Sequence, residues 1–280
     1  MIHFTAAEID QLIVDDSPWG DLTTREMGIG NRPGRIDYRA RHPMVVSGVE
    51  EAVSIARKLG VHVELSVPSG SVVREGGLIL SAEGSAERLH QLWRAGLTMI
   101  EFASGIASRT ASLLEAARVE NPGVVVAGTR KHPPYLKKVA LKALIAGGGT
   151  PHRIGLSDSV LIFREHRLFV DDTEAVIHRL RASQPERKLL VEVETREEAE
   201  AMVRAGVDSI QLDGVDPEEF RVCRDACKAI RSDVNMLASG GVRVDNAGDY
   251  ARAGADVLVS SWMYFSPPAE IGVILRPIRG

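Results

Sequence analysis

This 280-residue sequence predicts an incomplete α/β barrel preceded by a smaller α+β region. Three observations support that fold class. Short apolar strand candidates alternate with helical stretches through the second part of the chain, the mark of parallel βα units. A weak repeat sets Ala201-Met-Val-Arg-Ala-Gly-Val-Asp-Ser-Ile beside Asp249-Tyr-Ala-Arg-Ala-Gly-Ala-Asp-Val-Leu, each a helix that ends at glycine and runs into a strand. Nearly every strand candidate ends in polar or charged residues. A barrel assembles its site from such ends, whereas a doubly wound open sheet, the competing architecture, gathers them at one switch point.

The elements follow in order. Residues 6–14 have helical spacing and lead into a turn cluster at 15–21, where Asp21-Leu-Thr-Thr reads as a turn and a helix N-cap. Short strands are expected at 34–40, 44–48, 61–67 and 78–82, with the glycines near residues 70–77 marking tight turns of a small sheet. A helical period runs from 86 to about 117, broken near Ser104-Gly105. Barrel strands are then expected at 124–127, 160–162, 189–193, 209–212, 235–238 and 257–259. Their trailing residues are Thr129-Arg130-Lys131, Arg164 to His166, Glu192 and Glu194, Asp213, Ser239-Gly240-Gly241, and Ser260-Ser261.

Composition excludes several classes. The apolar runs are too short to cross a bilayer, and no basic segment followed by an apolar core opens the chain, which points to the cytoplasm. Cys223 and Cys227, four apart on a helical pattern, read as reduced structural thiols rather than a metal site. A net charge of −4 gives no global bias towards nucleic acid. Locally the charge is lopsided: the stretch 128–167 carries eight Lys or Arg against two acids, +6, leaving −10 elsewhere. Such a patch suits a small polyanion. Lys137, Lys138 and Lys142 fit a solvated helix face. Arg130-Lys131 and His152-Arg153 instead border Pro-rich or Gly-rich turns.

Ser239-Gly240-Gly241 follows a strand and precedes a helical segment, so its backbone amides could cradle a phosphate, although Ser-Gly-Gly is also a common turn. Gly147-Gly148-Gly149 follows a helix and reads as a C-cap loop. Glu192 and Asp213, at the ends of adjacent strands, could bind Mg²⁺ on a diphosphate or ribose hydroxyls, or serve as ion-pairing acids. Arg94, Arg130, Lys131, His152 and Arg153 would complement phosphates and carboxylates; a lone His152 is by default a satisfied loop histidine. No dinucleotide fingerprint, Walker loop, His-Glu-x-x-His or nucleophile elbow is present.

Together these residues resemble the quinolinate phosphoribosyltransferase (nicotinate-nucleotide pyrophosphorylase) family. The matching stretches are Gly20-Asp-Leu-Thr-Thr, Ser104-Gly-Ile-Ala-Ser, Thr129-Arg-Lys, Gly147-Gly-Gly, His152-Arg-Ile-Gly-Leu, Glu192-Val-Glu, Leu212-Asp and Ser239-Gly-Gly, in order along almost the whole chain. Lys131-His-Pro-Pro, the run 141–153 and Phe163-Arg-Glu-His-Arg-Leu-Phe resemble its ModD branch, pyrophosphorylases associated with molybdenum transport. The resemblance implies an N-terminal α/β sandwich over 1–108 and an open TIM-like barrel over 109–280, with the extreme C-terminus packing back on the first domain. It implies a homodimer, or a higher oligomer, whose subunits share active sites. The implied reaction displaces pyrophosphate from phosphoribosyl pyrophosphate (PRPP) by a pyridine nitrogen, with Mg²⁺. By position, Arg94 would come from the partner subunit, and Arg130, His152 and Arg153 would bind the carboxylates of the base. Lys131 would lie between base and pyrophosphate. Glu192 and Asp213 would hold ribose hydroxyls and metal, and Ser239, Gly240 and Gly241 the 5-phosphate, with Ser260 and Ser261 in the last phosphate loop.

Departures cluster where the base would bind. The family's Lys-Asp-Asn-His stands here as Phe163-Arg164-Glu165-His166, and Thr-Pro-Gly-Leu-Arg as Pro133-Pro134-Tyr135-Leu136-Lys137. Gly214, Leu237 and Ser261 replace an Asn, an acid and a glycine. Arg164 could restore the charge missing at Phe163, though a neighbouring strand residue points the other way. The resemblance therefore implies a kept PRPP site and an acceptor other than quinolinate. The competing reading is a non-catalytic anion-binding protein of molybdenum metabolism.

Overall fold

The computed structural model describes residues 2–279, which divide into two compact units. The first contains the chain up to Ala111, His132–Gly148, and the chain from Met263 on; the second contains Ser112–Lys131 and Gly149–Trp262.

In the first unit, helix α1 (Ala6–Asp16) starts at a capping box in which Thr5 and Glu8 exchange hydrogen bonds. Helix α2 (Leu22–Glu26) is capped by Asp21, as its sequence predicts. Strands β1 (Pro33–Ala40), β3 (His62–Ser66) and β5 (Leu78–Ser85) belong to a four-stranded sheet, and β2 (Met44–Val45) pairs with β4 (Val72–Val73). Helices α3 (Val49–Lys58) and α4 (Ala86–Arg118) complete the N-terminal part. A large core fills this unit, with Ile36, Tyr38, Ile55, Ile79, Leu80, Leu89, Leu92 and Ile100 wholly buried. Each such side chain contributes roughly 1.5–3 kcal/mol by leaving water.

Two sequence expectations fail here. Helix α4 is unbroken through Ser104-Gly105. The Ser104 hydroxyl accepts from Ser47 N–H at 3.0 Å, and a Cβ at Gly105 would stand 2.3 Å from the Pro267 carbonyl oxygen. The small residues there serve close packing rather than a turn. The sequence reading also missed a strand: β13 (Ile271–Pro277) pairs antiparallel with β1, from Ala40↔Ile271 to Gly34↔Pro277, giving the order β13-β1-β5-β3. Helix α5 (Lys137–Ala146) belongs to this unit too. Its lysines are not merely solvated: Lys138 pairs with Glu8 at 2.6 Å and Lys142 pairs with Glu51.

The second unit holds the parallel sheet. All six predicted strands form: β6 (Val125–Gly128), β8 (Val160–Ile162), β9 (Leu189–Val193), β10 (Ser209–Asp213), β11 (Asn235–Ser239) and β12 (Val257–Ser260). A seventh, β7 (Thr150–Pro151), is only two residues long and escaped the pattern. Helices α6 (Arg164–Arg167), α7 (Thr173–Ser183), α8 (Arg196–Arg204), α9 (Pro217–Ile230) and α10 (Ala247–Arg252) lie between them in sequence. The order β7-β6-β12-β11-β10-β9-β8 decides the architecture. Strands β8 to β12 are sequential neighbours, and β12 then returns to pair with β6, from Val257↔Val125 to Ser260↔Gly128. Last strand against first is barrel closure. The edges are β7 and β8, joined by residues 152–159 without a helix. A parallel pair needs a crossover of a dozen or more residues, so the barrel stays open at that seam.

The repeat seen in sequence has a structural use. Gly206 and Gly254 turn with φ of 94° and 88°. The aspartate that follows each caps the neighbouring strand: Asp208 accepts from Leu189 N–H and Asp256 from Met236 N–H, both at 2.8 Å. Cys223 and Cys227 are free and buried in α9. Among the described residues no helix is long and apolar enough to cross a membrane.

Candidate active site

Inside the barrel, strand alternation separates two layers. Ala127, Leu237 and Val259 form a small buried cluster, with Leu190 and Val257 packed against it. Two residues further along the same strand faces come Thr129, Glu192, Ser239 and Ser261. The strand ends therefore open onto a polar cavity of about 380 Å³. Its wall includes Arg130, Lys131, His152, Arg153, Glu192, Asp213, Ser239, Gly240, Gly241, Ser260 and Ser261. Eleven of the thirteen residues singled out from sequence thus share one opening.

The acids sit together on neighbouring strands. Register places Glu192 beside Gln211, whose Nε2 donates to Glu192 Oε2 at 2.6 Å. Burial, and then the adjacent Asp213 carboxylate, push the Glu192 pKa above its usual range. Asp213 Oδ1 accepts from the Ser239 hydroxyl at 2.7 Å. The Gln211 Oε1 atom is buried without a partner. Neither Glu192 nor Asp213 has an ion pair among the described residues.

Among the described residues Arg130, Lys131 and Arg153 have no ion pair either. Arg130 and Lys131 follow β6 and are exposed. Arg153, in the seam loop, is only 6% exposed, and its guanidinium carbon lies 5.4 Å from the Phe163 ring centroid. Burial, followed by the charge of Arg153, lowers the His152 pKa to about 4, so the imidazole is neutral at neutral pH. Its Nε2 is buried without a partner, so the satisfied loop histidine expected by default is not what the fold makes.

At the Ser-Gly-Gly turn, Gly240 and Gly241 have φ of 80° and 82°. A Cβ at Gly240 would stand 2.3 Å from the Gly214 nitrogen, so only glycine fits. The helix expected next begins only at Ala247 and spans six residues, so an anion here would rely on loop amides rather than a helix end. The hydroxyls of Ser239 and Ser260 are already committed, Ser260 donating to the Val242 carbonyl at 2.7 Å. Their contribution is to shape the wall, leaving Ser261 and the glycines facing the cavity.

Two expected residues lie elsewhere. Arg164 is outside this wall: Phe163 ends the extended run, Arg164 opens α6, and its guanidinium reaches Glu194 at 3.4 Å on the surface. Arg94 belongs to α4 in the first unit, where it lines a separate cavity with Asp15, Asp16 and Phe102. Conversely, Gln211, Arg243 and Trp262 line the site but were not singled out from sequence. Gln211 carried a readable signal, since Ser209, Gln211 and Asp213 alternate along one strand face. Among the described residues no three ligating side chains cluster around a metal position.

The chain also matches known proteins. The profile of the quinolinate phosphoribosyl transferase C-terminal domain covers residues 106–271, and that of the N-terminal domain residues 21–104. ModD of Pasteurella multocida, named an inferred pyrophosphorylase, is 34% identical over 279 residues, 99% of each chain. The same-named protein of Rhodobacter capsulatus is 42% identical over 247 residues, 87% of this chain and 94% of that one. Human nicotinate-nucleotide pyrophosphorylase (carboxylating) is 29% identical over 265 residues, 94% of this chain and 89% of its own. The crystal structure of NadC from Streptococcus pyogenes matches the fold with a TM-score of 0.90 over 100% of both chains, at 24% identity.

Proposed function

We propose that this chain, which belongs to the quinolinate phosphoribosyltransferase family, transfers a phosphoribosyl group from PRPP to the ring nitrogen of a pyridine-carboxylate-like acceptor and releases pyrophosphate. One observation carries the reading. Unpaired cations (Arg130, Lys131, Arg153) and unpaired acids (Glu192, Asp213) line the same 380 Å³ cavity as a glycine turn. Such a set of charges suits a ligand that is itself anionic at two places and hydroxylated between them.

In this assignment Gly240, Gly241 and Ser261 hold the 5-phosphate. Arg130, His152 and Arg153 bind the acceptor, and Lys131 lies between acceptor and pyrophosphate. Glu192 and Asp213 accept hydrogen bonds from the ribose hydroxyls. The nitrogen lone pair forms the new bond to C1 while the C1–O pair departs with pyrophosphate, so no proton moves in the bond exchange. Positive charge grows on the ribose ring in between, and the two carboxylates stabilise it. Holding both partners in one opening supplies the rest of the acceleration.

The donor set also fits Mg²⁺. That ion commonly takes one or two carboxylates and fills its shell with water and substrate phosphate. Burial, and then the neighbouring Asp213 carboxylate, raise the Glu192 pKa, and a cation between the two acids would relieve their repulsion. Mg²⁺ held there would neutralise charge on the departing pyrophosphate. Arg94 is assigned, with the homodimer, to the partner subunit's site, and the enzyme to the cytoplasm in a ModD-like role in molybdenum metabolism. No observation favours the non-catalytic alternative.

Two measurements test the proposal. Calorimetric titration of PRPP with Mg²⁺ should show binding; silence at millimolar ligand removes the retained site. A steady-state assay of pyrophosphate release across pyridine carboxylates should show turnover that vanishes in Glu192→Ala and Asp213→Ala.

A further inference from the structure

The cations of the cavity wall are unevenly placed. Arg130 and Lys131 trail β6, and Arg153 sits in the seam loop after β7. The strand ends and following loops from β9 to β12 contribute the acids Glu192 and Asp213 and, among the described residues of the wall, one cation, Arg243. An anion seated on the Ser-Gly-Gly turn would meet an acid at once, because a Cβ at Gly240 would stand 3.0 Å from Asp213 Oδ1. Beside Gly241 there is space, since a Cβ there would meet nothing within 4 Å. The turn has room for a phosphate, but the adjoining carboxylate has the wrong sign.

Arg243 lies two residues past that turn, on a fixed base. The Asn246 side chain donates to the Gly241 carbonyl at 3.1 Å and accepts from the Arg243 N–H at 2.8 Å. Ser260 donates to the intervening Val242 carbonyl at 2.7 Å. The guanidinium itself is loosely engaged: Nη2 donates to Asp245 Oδ2 at 3.3 Å, and both side chains are more than half exposed. An exposed pair of this kind is weak. A phosphate offers the same guanidinium two parallel charge-assisted hydrogen bonds, so it wins the competition.

We propose that Arg243 is a further phosphate-binding residue, which leaves Asp245 for the 5-phosphate of a bound sugar phosphate, and that Asp245 sets the affinity by competing for it. Calling that ligand the phosphoribosyl donor rests on the transfer reading. The exchange of partners itself requires only a phosphate monoester at the turn.

The test is calorimetric titration of the full-length protein with ribose 5-phosphate, and with PRPP and Mg²⁺. Arg243→Gln should weaken ribose 5-phosphate binding about tenfold or more, the scale of one charged hydrogen bond. Arg243→Lys, which keeps the charge and loses the fork, should recover part of that loss. Asp245→Asn should tighten binding by up to about fivefold, the scale of a surface ion pair. In the double variant Arg243→Gln, Asp245→Asn that gain should vanish, because no cation remains to be released. PRPP should follow the same order, and each variant should melt like the parent. Unchanged ribose 5-phosphate affinity in Arg243→Gln overturns the proposal, as does absence of binding to the parent at millimolar ligand. So does an equal gain from Asp245→Asn with and without Arg243, which would be plain repulsion of the anion. Should Arg243→Gln melt lower, Asp245→Asn alone decides: tighter binding supports the exchange, and unchanged binding overturns it. Ribose 5-phosphate results as expected, without pyrophosphate release from PRPP, keep the phosphate site and remove the transferase reading. Pyrophosphate release with a KM for PRPP unmoved by Arg243→Gln is the reverse result.

Discussion

The two units treat buried charge in opposite ways. In the first, Asp37 is 6% exposed and accepts from the Ser81 hydroxyl at 2.6 Å and from Arg35 Nε at 3.2 Å. Glu51 is 5% exposed and pairs with Lys142. In the second, Arg153 at 6% exposure has no ion pair among the described residues, and it lines a cavity with Glu192 and Asp213, which have none either. Charges answered within the chain stabilise a fold; charges left open mark where a ligand completes it.

That contrast can be broken by mutation. The largest effect is expected at the open acids. Glu192→Ala or Asp213→Ala should lower kcat for pyrophosphate release by about 10²–10³-fold or more, with unfolding free energy little changed; comparable loss of stability would show that the acids are structural. Next is the closed pair. Glu51→Ala strands Lys142 and should cost about 3 kcal/mol in urea unfolding, with PRPP affinity intact.

Arg153→Gln should show the opposite signature. Removing an unpaired buried cation should leave stability equal or higher, while acceptor affinity falls by about 1.5–3 kcal/mol, read by calorimetry. A smaller effect belongs to Gln211, a positioning residue for Glu192. Because the Glu192 pKa is raised, the ionised form that catalysis needs is lost as pH falls through a point above the usual glutamate value of 4.5. The acid limb of the pH profile of kcat/KM should therefore lie above that value. Gln211→Leu removes the hydrogen bond that holds the pKa down, so the limb should move further up. The folded protein also binds this proton more readily than the unfolded chain, so the glutamate's own contribution to stability falls as pH rises through the window. Last, Arg164→Ala should change neither KM nor stability by more than about 0.5 kcal/mol, because its ion pair with Glu194 is solvent-exposed.

Much of this molecule is legible in its amino-acid sequence. The six longer barrel strands were readable because each is an apolar run bounded by turn residues. That eleven of the residues named from sequence line one cavity was readable for those at strand ends, because a barrel gathers its strand ends at one mouth. For His152 and Arg153 it was readable from their basic charge beside a Gly-rich turn. The unread parts share a cause. Strand β7 is too short to carry a period, and β13 is defined by its pairing with a strand over two hundred residues away. Ser104-Gly105 looked like a helix break because small residues mark both turns and close packing. Arg164 looked available because its helix was invisible in four residues.

Taken alone, the sequence determined the alternation of strands and helices, the faces of each strand, and the kinds of charge at their ends, since these depend on local periodicity and turn chemistry. Tertiary structure decided which of those groups meet. Register set Gln211 against Glu192, the short seam loop carried Arg153 over Phe163, and the return of β12 to β6 brought cations and acids to one opening. Partners distant in the chain leave no mark on local pattern, and whether a buried charge is answered depends on those partners.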